Sequence, residues 1–243
     1  AETALYMGDY KKAAEYADDV IEQGDDSQIG GESYSRLWRT ESYGGRIFAF
    51  NTQNSYYIAI EYDSSEGDYY AVNPAFTFTD EDVRTKYTLY PKDQNGKTRN
   101  LMGKYNMMNK QGTQPNYINR MRYAGAYFIA AEAYARDNNE QMARERINHY
   151  LQLVSADPIA ESVTGDALVQ AILAEKYKEF VGEGSNYFDL KRTHADLNRL
   201  SAWGGAATAK ISNNDYRWSF PIPASEYKYN NNVTQNDKWP INR

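Results

Sequence analysis

From Arg122 to Arg136 the chain reads RYAGAYFIAAEAYAR, and at helical spacing Tyr123, Tyr127, Ala130, Ala131 and Tyr134 fall on one stripe among many alanines. A helix so rich in Ala lets a neighbour approach closely, so the segment constrains the chain to a packed array of helices. Asp137-Asn138-Asn139 then turns the chain, and Glu140 to Val154 returns it as the second arm of a helical hairpin. The first residues follow the same scheme. They read as the end of one helix, a tight turn at Gly8-Asp9 and a second helix from Tyr10 to Gln23 closed by Gly24, with Ala13, Ala17, Val20 and Ile21 as its apolar stripe. Ala143 sits in the later hairpin where Ala13 sits in the first.

The GDYxxA arrangement is that of a tetratricopeptide hairpin, whose helices bury little unless stacked on further hairpins. The first helix begins at residue 1 with about two turns, marginal in isolation, so the chain is expected to be part of a longer protein. Past Asp157-Pro158, Thr164 is the expected N-cap of a third helix carrying Val169, Ile172, Leu173, Tyr177 and Phe180 and ended by Gly182-Glu183-Gly184. A fourth helix is expected from about Asn186 to Leu200, with Asp189 in its first turn favoured by the helix dipole. From Trp203 onward Pro221, Pro223 and Asn230-Asn231-Asn232 argue against any regular element, and the tail should lie extended over the helices, pinned by Trp218, Phe220, Ile222 and Trp239.

Between Asp25 and about Asn119 the helical period is lost. RIFAF and YYIAIEY alternate like short strands, and Asn95-Gly96 is a hairpin-turn signal between TKYTLY and RNLMGKYN. The remainder is polar, aromatic and broken at Gly30-Gly31, Gly44-Gly45, Asn73-Pro74 and Gln114-Pro115. A loop-rich excursion of this length is usually functional or disordered, and its density of Tyr and Trp argues against disorder. The whole chain carries 23 Tyr, 8 Phe and 4 Trp. The residue in excess has an apolar face and a polar tip, which suits a binding surface as well as wet packing between helices.

Several function classes fall away on composition. With 27 Lys plus Arg against 33 Asp plus Glu the net charge is −6, and no basic run exceeds Lys11-Lys12, so neither nucleic acid nor a polyanionic membrane surface is an expected partner. No apolar run is long enough for a transmembrane helix. With no Cys there is no disulfide, thiolate nucleophile or cysteine metal site. His149 and His194 lack partners at metal-ligand spacing, neither GxSxG nor HExxH occurs, and Asp80, Asp82, Asp93 and Asn95 do not have the spacing of an EF-hand loop. GEGSNY at Gly182 lacks the third Gly of a dinucleotide loop and follows a helix, so it reads as a turn. No cofactor and no metal is expected.

Five motifs, in order along the chain, resemble the SusD/RagB family, the surface lipoproteins of Bacteroidetes nutrient-uptake systems. They are the hairpin LYMGDYKKAAEYADDVIEQG, the Arg-led helix RYAGAYFIAAEAY, Asn148 in ERINHYL, the segment EKYKEFVGEGSNYFDLKR, and the ending FPIPASEYKYNNNVTQN. In the fourth, Glu175, Glu179, Phe180, Glu183, Gly184, Phe188, Asp189, Leu190, Lys191 and Arg192 follow the family pattern; in the last, Ile222, Pro223, Glu226, Asn230, Gln235 and Asn236 do. The chain departs from the family at Gly125, Lys176 and Asn186, near Leu151 and Leu153, and at Asn231 and Trp239, as a divergent member would. The resemblance implies a mainly α fold, with tetratricopeptide-like hairpins at 1–24 and 120–200, a loop-rich ligand-binding excursion with a few short β-strands at 25–119, and a tail at 201–243 packed on the helices. It also implies longer relatives with a lipidated amino terminus on the outer-membrane surface.

The function so implied is non-catalytic capture of glycans, or in some members peptides, for a SusC-like TonB-dependent transporter. Sugar rings present apolar C–H faces to aromatic rings and hydroxyls to Tyr, Asn and Asp, so Trp38, Tyr43, Tyr56, Tyr69 and Tyr70, with Asn51, Asn54, Asp63 and Asp68, are the candidate ligand contacts. Taken singly, each ring also reads as packing and each polar residue as a turn. On this reading Trp38→Ala weakens glycan binding without unfolding, and Glu183→Gln leaves it unchanged. A peptide- or protein-binding helical scaffold is the alternative, set back by having only two hairpins about 130 residues apart. A glycoside hydrolase would need two carboxylates across a bond; Glu179 and Glu183, with Asp189 close behind, could provide them, but salt bridges to Lys191 or Arg192 and helix capping explain these acids as framework.

Overall fold

A computed structural model describes residues 1–38, 45–51, 77–94, 96–104, 117–199, 209–230 and 232–240. They fall into two units, Ala1–Ser185 and Asn186–Arg243. The first unit opens with α1 (Glu2–Tyr6) and α2 (Tyr10–Gln23). Gly8 turns the chain between them with φ +75°, a conformation in which a side chain would be strained, and the Asp9 side chain caps α2 by accepting from the Lys12 amide. A short α3 (Gly31–Arg36), strand β1 (Arg46–Asn51), helix α4 (Val83–Thr88) and strands β2 (Leu89–Gln94), β3 (Lys97–Met102) and β4 (Tyr117–Arg122) follow. Then come α5 (Tyr123–Arg136), α6 (Glu140–Leu153) and α7 (Asp166–Glu179). The mainly helical class and the hairpin boundaries agree with the sequence.

The two hairpins are built alike. Asn138 takes the place of Gly8 with φ +63°, and Asn139 that of Asp9, accepting from the Met142 amide. Five residues beyond each positive-φ turn, Ala13 and Ala143 are both fully buried. In space α2 packs along α5 and α5 along α6, with α7 on α5 as well, so the hairpins are neighbours although their turns lie about 130 residues apart in the sequence. Their separation in sequence, which set back the scaffold reading, is thus no separation in space, though among the described residues the hairpins are still only two. Replacing Asn139 by Ala removes one cap and should cost about 1 kcal/mol in urea unfolding, with the helix content of the folded state unchanged.

The core runs from Ile29, Tyr34, Leu37 and Trp38 through Tyr87, Tyr127 and Phe128 to Ile147, Tyr150, Leu168 and Ile172. Polar ties stitch the helices across it: Asp18 on α2 accepts from the Tyr134 hydroxyl at 2.7 Å and from Arg146 Nε at 2.7 Å. Burial, then Asp18, pushes the Tyr134 hydroxyl up to about 12.

Of the expected strands, RIFAF forms β1, paired antiparallel with β4. The pair is tied inward where Arg46 Nη2 and Asn119 Nδ2 both donate to the Leu37 carbonyl, at 2.8 and 2.9 Å. The Asn95-Gly96 signal holds, since β2 and β3 pair antiparallel up to Gln94 opposite Lys97, with Gly96 at φ +75°. TKYT is a correction. It forms the end of α4, because the Asp82 side chain caps Arg84 and buries Tyr87 and Thr88 on the core side. YYIAIEY lies outside the described residues.

Three further corrections concern helix ends and the tail. Gly165, at φ +57°, takes the N-cap position of α7 in place of Thr164, and its amide donates to Glu140 Oε1 at 2.7 Å. In the second unit the fourth helix, α8 (Ser185–Arg192), stops early because His194 adopts φ +51°; Leu197–Arg199 is β5, paired with β6 (Ala209–Ile211). The tail is not wholly irregular. Tyr216–Trp218 makes a 3₁₀ turn capped by Asp215, whose carboxyl the Arg217 hydrogen bonds hold down at about 2, and the fixed φ of Pro223 starts α9 (Ala224–Tyr227). Gln235 completes a strand-like pair with Ile222 through both ends of its amide, at 2.7 and 3.0 Å, and Asn236 and Trp239 donate to the Phe220 and Ser219 carbonyls. Trp218 and Phe220 lie against the Tyr187 ring of α8, with centroids 5.8 and 5.5 Å away.

Candidate functional site

Of the proposed ligand contacts, Tyr43, Tyr56, Tyr69, Tyr70, Asn54, Asp63 and Asp68 lie outside the described residues. Asn51 ends β1 opposite Tyr117. Trp38 is corrected. The chain turns inward after α3, so the ring is 0% exposed and packs edge-on against Tyr34, with Lys104 Nζ at 4.8 Å and the Arg122 guanidinium at 5.4 Å from its centre. A ring with no exposed face offers none to a sugar.

What Trp38 covers is a buried ionic cluster built on α7. Glu175, Glu179 and Glu183 recur every fourth residue, which places them in one row along the helix and into the turn that follows. Glu179, fully buried, accepts from Arg122 Nη1 at 2.6 Å, from the Tyr34 hydroxyl at 3.3 Å and from the Tyr150 hydroxyl in a very short bond. Glu183 receives Arg122 in a two-pronged contact, at 2.8 and 2.9 Å, and Lys104 Nζ at 2.5 Å. Lys104 also donates to the Glu179 carbonyl at 2.7 Å. Glu175 takes Arg84 Nη2 at 2.8 Å, while the same guanidinium grips Asp82 through Nε and Nη2.

With Lys178 on the outer edge of Glu175, four cations face four carboxylates. Burial alone would raise the Glu179 carboxyl, but Arg122 first, then Lys104 and Arg84, outweigh it and hold it below the ordinary range. Burial lowers the Lys104 ammonium against the pull of Glu183. Burial, then Glu179, pushes both phenols well up.

This corrects the expected partners of the two acids: Arg122 and Lys104 hold them, while Arg192 pairs with Asp189 within α8. Glu179 is held ionised and shut from water, the reverse of the raised, accessible carboxyl that a glycosidase acid needs. Arg84 and Lys104 were missed from the sequence. The legible signal was the spacing itself, because two acids on one stripe of a core helix and a third in the turn after it demand cations from elsewhere.

An open cleft lies at the C-terminal end of α2. Asp25, Asp26, Tyr123, Tyr127, Arg146 and His149 line most of a volume of about 430 Å³, and an adjoining one of about 560 Å³ shares Gly24, Asp25 and Tyr123. Tyr127 and His149 stack with centroids 5.5 Å apart, and Asp26 accepts from the Tyr127 hydroxyl at 2.6 Å and faces His149 Nε2 at 2.7 Å. Gly24 is required here: a Cβ on it would lie 1.9 Å from the Tyr123 ring, whose hydroxyl donates to the Ile21 carbonyl at the end of α2. The Tyr123 and Tyr127 rings are buried in the wall of the cleft, so the groups it presents to solvent are the half-exposed Asp26 carboxylate and His149 ring, which can hydrogen-bond a polar ligand. Among the described residues no group of three or more His, Asp or Glu is placed to hold a metal ion, and no helix is long and apolar enough to cross a membrane.

The model of the SusD family matches residues 2–239. The chain belongs to the SusD family. Solved structures of the same fold include a SusD superfamily protein from Bacteroides vulgatus ATCC 8482, at a TM-score of 0.75 and 21% identity over 98% of this chain and 57% of that one. A SusD-like carbohydrate binding protein from the same strain matches at 0.68 and 24% identity over 82% of this chain and 44% of its own. Surface glycan-binding protein A from Bacteroides uniformis matches at 0.63 and 19% identity, over 97% and 58%. The chain thus spans about half the length of the SusD-like structures it matches. No curated protein matches it.

Proposed function

We propose that this SusD-family chain is part of a non-catalytic, surface-exposed outer-membrane lipoprotein that captures glycans and hands them to a SusC-like TonB-dependent transporter. The observation that carries the reading is the family match over residues 2–239. Ligand contact is assigned to the excursion, through Tyr43, Tyr56, Tyr69 and Tyr70 with Asn51, Asn54, Asp63 and Asp68, and Trp38 is withdrawn from that set. The cleft at Asp25 and Asp26, where the excursion leaves α2, adds hydrogen-bonding groups beside it, the half-exposed Asp26 and His149, but no open tyrosine face. The stacking of α2, α5 and α6 into one array gives some support to the second reading, a helical scaffold that binds a peptide.

The test is native electrophoresis through gels cast with plant, fungal and host polysaccharides, with reducing ends assayed on the same mixtures. Retardation by one polysaccharide with no new reducing ends is the expected result. New reducing ends would overturn the binding-only reading. Retardation by none, with binding to a peptide library, would favour the scaffold.

A further inference from the structure

The carboxylate row on α7 and the turn after it meets cations from a part of the chain far away in sequence. Arg84 comes from α4, Lys104 from two residues after β3, and Arg122 from the end of β4 where the excursion rejoins the scaffold. Residues 82–104 form one module: α4 leads directly into β2, β2 pairs with β3 over six residue pairs, and the Gly103 amide donates to the Thr88 carbonyl at 2.8 Å to close the base of the hairpin. Arg84 stands at the start of that module and Lys104 at its end. The module is also anchored where the Val83 amide donates to the Val154 carbonyl at 3.0 Å and where Tyr87 and Thr88 are buried. To that anchor the ionic links add two fixed points at opposite ends of the module, Arg84 on Glu175 and Lys104 on the Glu179 carbonyl and Glu183, which together restrict its direction.

Their chemistry suits orientation more than adhesion. A buried ion pair seldom stabilises a fold more than a well-packed apolar pair would, since desolvation offsets the Coulomb attraction, but its donors and acceptors must meet in one geometry. Arg84 and Lys104 are each about 1% exposed at the side chain, so salt screens neither link appreciably.

We propose that the Glu175–Glu179–Glu183 row is a clamp that sets the direction in which the 82–104 module leaves the helical scaffold, with Arg84 and Lys104 as positioning residues. The functional consequence rests on the glycan-capture reading, because the module belongs to the excursion assigned to the ligand; the test involves no glycan, so the two can fail separately. Amide hydrogen exchange is followed on the intact chain for the parent, Lys104→Met, Glu183→Gln and the double variant. Lys104→Met is expected to speed exchange in β2 and β3 about tenfold, while α2, α5 and α6 stay within about twofold of the parent.

Glu183→Gln leaves the Lys104 ammonium buried beside Arg122 with its carboxylate gone, so it should loosen the hairpin more. The double variant, with no stranded charge, should then fall back toward Lys104→Met, a non-additivity that simple loss of packing would not produce. Unchanged exchange in the hairpin, equal acceleration in all helices, or strictly additive effects would each overturn the clamp. Should Glu183→Gln fail to fold, Lys104→Met decides between the first two outcomes on its own.

Discussion

Glu179→Ala is expected to leave residues 1–185 without a stable fold at neutral pH. The carboxylate is 0% exposed and is the common acceptor for Arg122, Tyr34 and Tyr150, which come from the end of β4, from α3 and from α6. Removing one member of a buried ion pair costs about 3–5 kcal/mol, and each phenol left without its acceptor adds about 1–3 kcal/mol. The total stability of a domain is only about 5–15 kcal/mol, so the sum consumes most of it.

Glu179→Gln is the informative companion. It keeps the volume and one acceptor oxygen, and Arg122 retains Glu183, so it should fold with reduced stability. The pH dependence has a definite sign. Because the folded-state carboxyl is held below the ordinary glutamate range, its contribution is complete at neutral pH and is lost as the pH falls through that range toward the folded value. Circular dichroism against urea and pH measures all three, and a Glu179→Ala protein with a near-parental midpoint would remove the cluster from its place at the centre of the fold.

The sequence made the scaffold legible because its signals are local. A positive-φ turn residue, a capping side chain on the next residue and a buried Ala four further on occur within six positions, at Gly8–Ala13 and again at Asn138–Ala143. Spacing alone recovers such patterns. The errors came where a distant partner decided the outcome. TKYT has strand-like composition, yet the Asp82 cap and the burial of Tyr87 beneath Tyr34 make it a helix. Trp38 sits in loop-like sequence, and only the arrival of Lys104 and Arg122 from 66 and 84 residues away shows that it is roofed over. The acids of EKYKEF and GEG were recognised as framework, but their cations could not be paired by inspection, since nothing local marks Lys104 or Arg84 as buried. Of the candidate ligand residues, the aromatic excess of the excursion was visible in composition, whereas which rings face a ligand depends on loop geometry that composition does not encode.

Trp38→Ala is where the two readings of that residue part. Were the ring a sugar platform, its loss would weaken glycan affinity and leave the melting curve alone. Buried as it is, the substitution opens a cavity in the core between Tyr34 and the ionic cluster and strips the aromatic face from Lys104 and Arg122. Truncating a buried Trp to Ala costs about 3–5 kcal/mol, before any cation–π contribution of about 0.5–2 kcal/mol is added. For a chain of this length that corresponds to a fall in Tm of roughly 6–20 °C. Trp38→Phe keeps most of the volume and an aromatic face, and should recover much of the loss. Differential scanning calorimetry on the three proteins, with gel retardation by whichever polysaccharide binds the parent, separates the cases. A large fall in Tm with proportionate recovery in Trp38→Phe places the residue in the core, and an unchanged Tm with lost retardation would return it to the ligand surface. The first result also bears on the excursion: Lys104 reaches Glu183 across the face of Trp38, so a cavity there should loosen the 82–104 hairpin along with the core, and the same hydrogen-exchange profile that tests the clamp would record it.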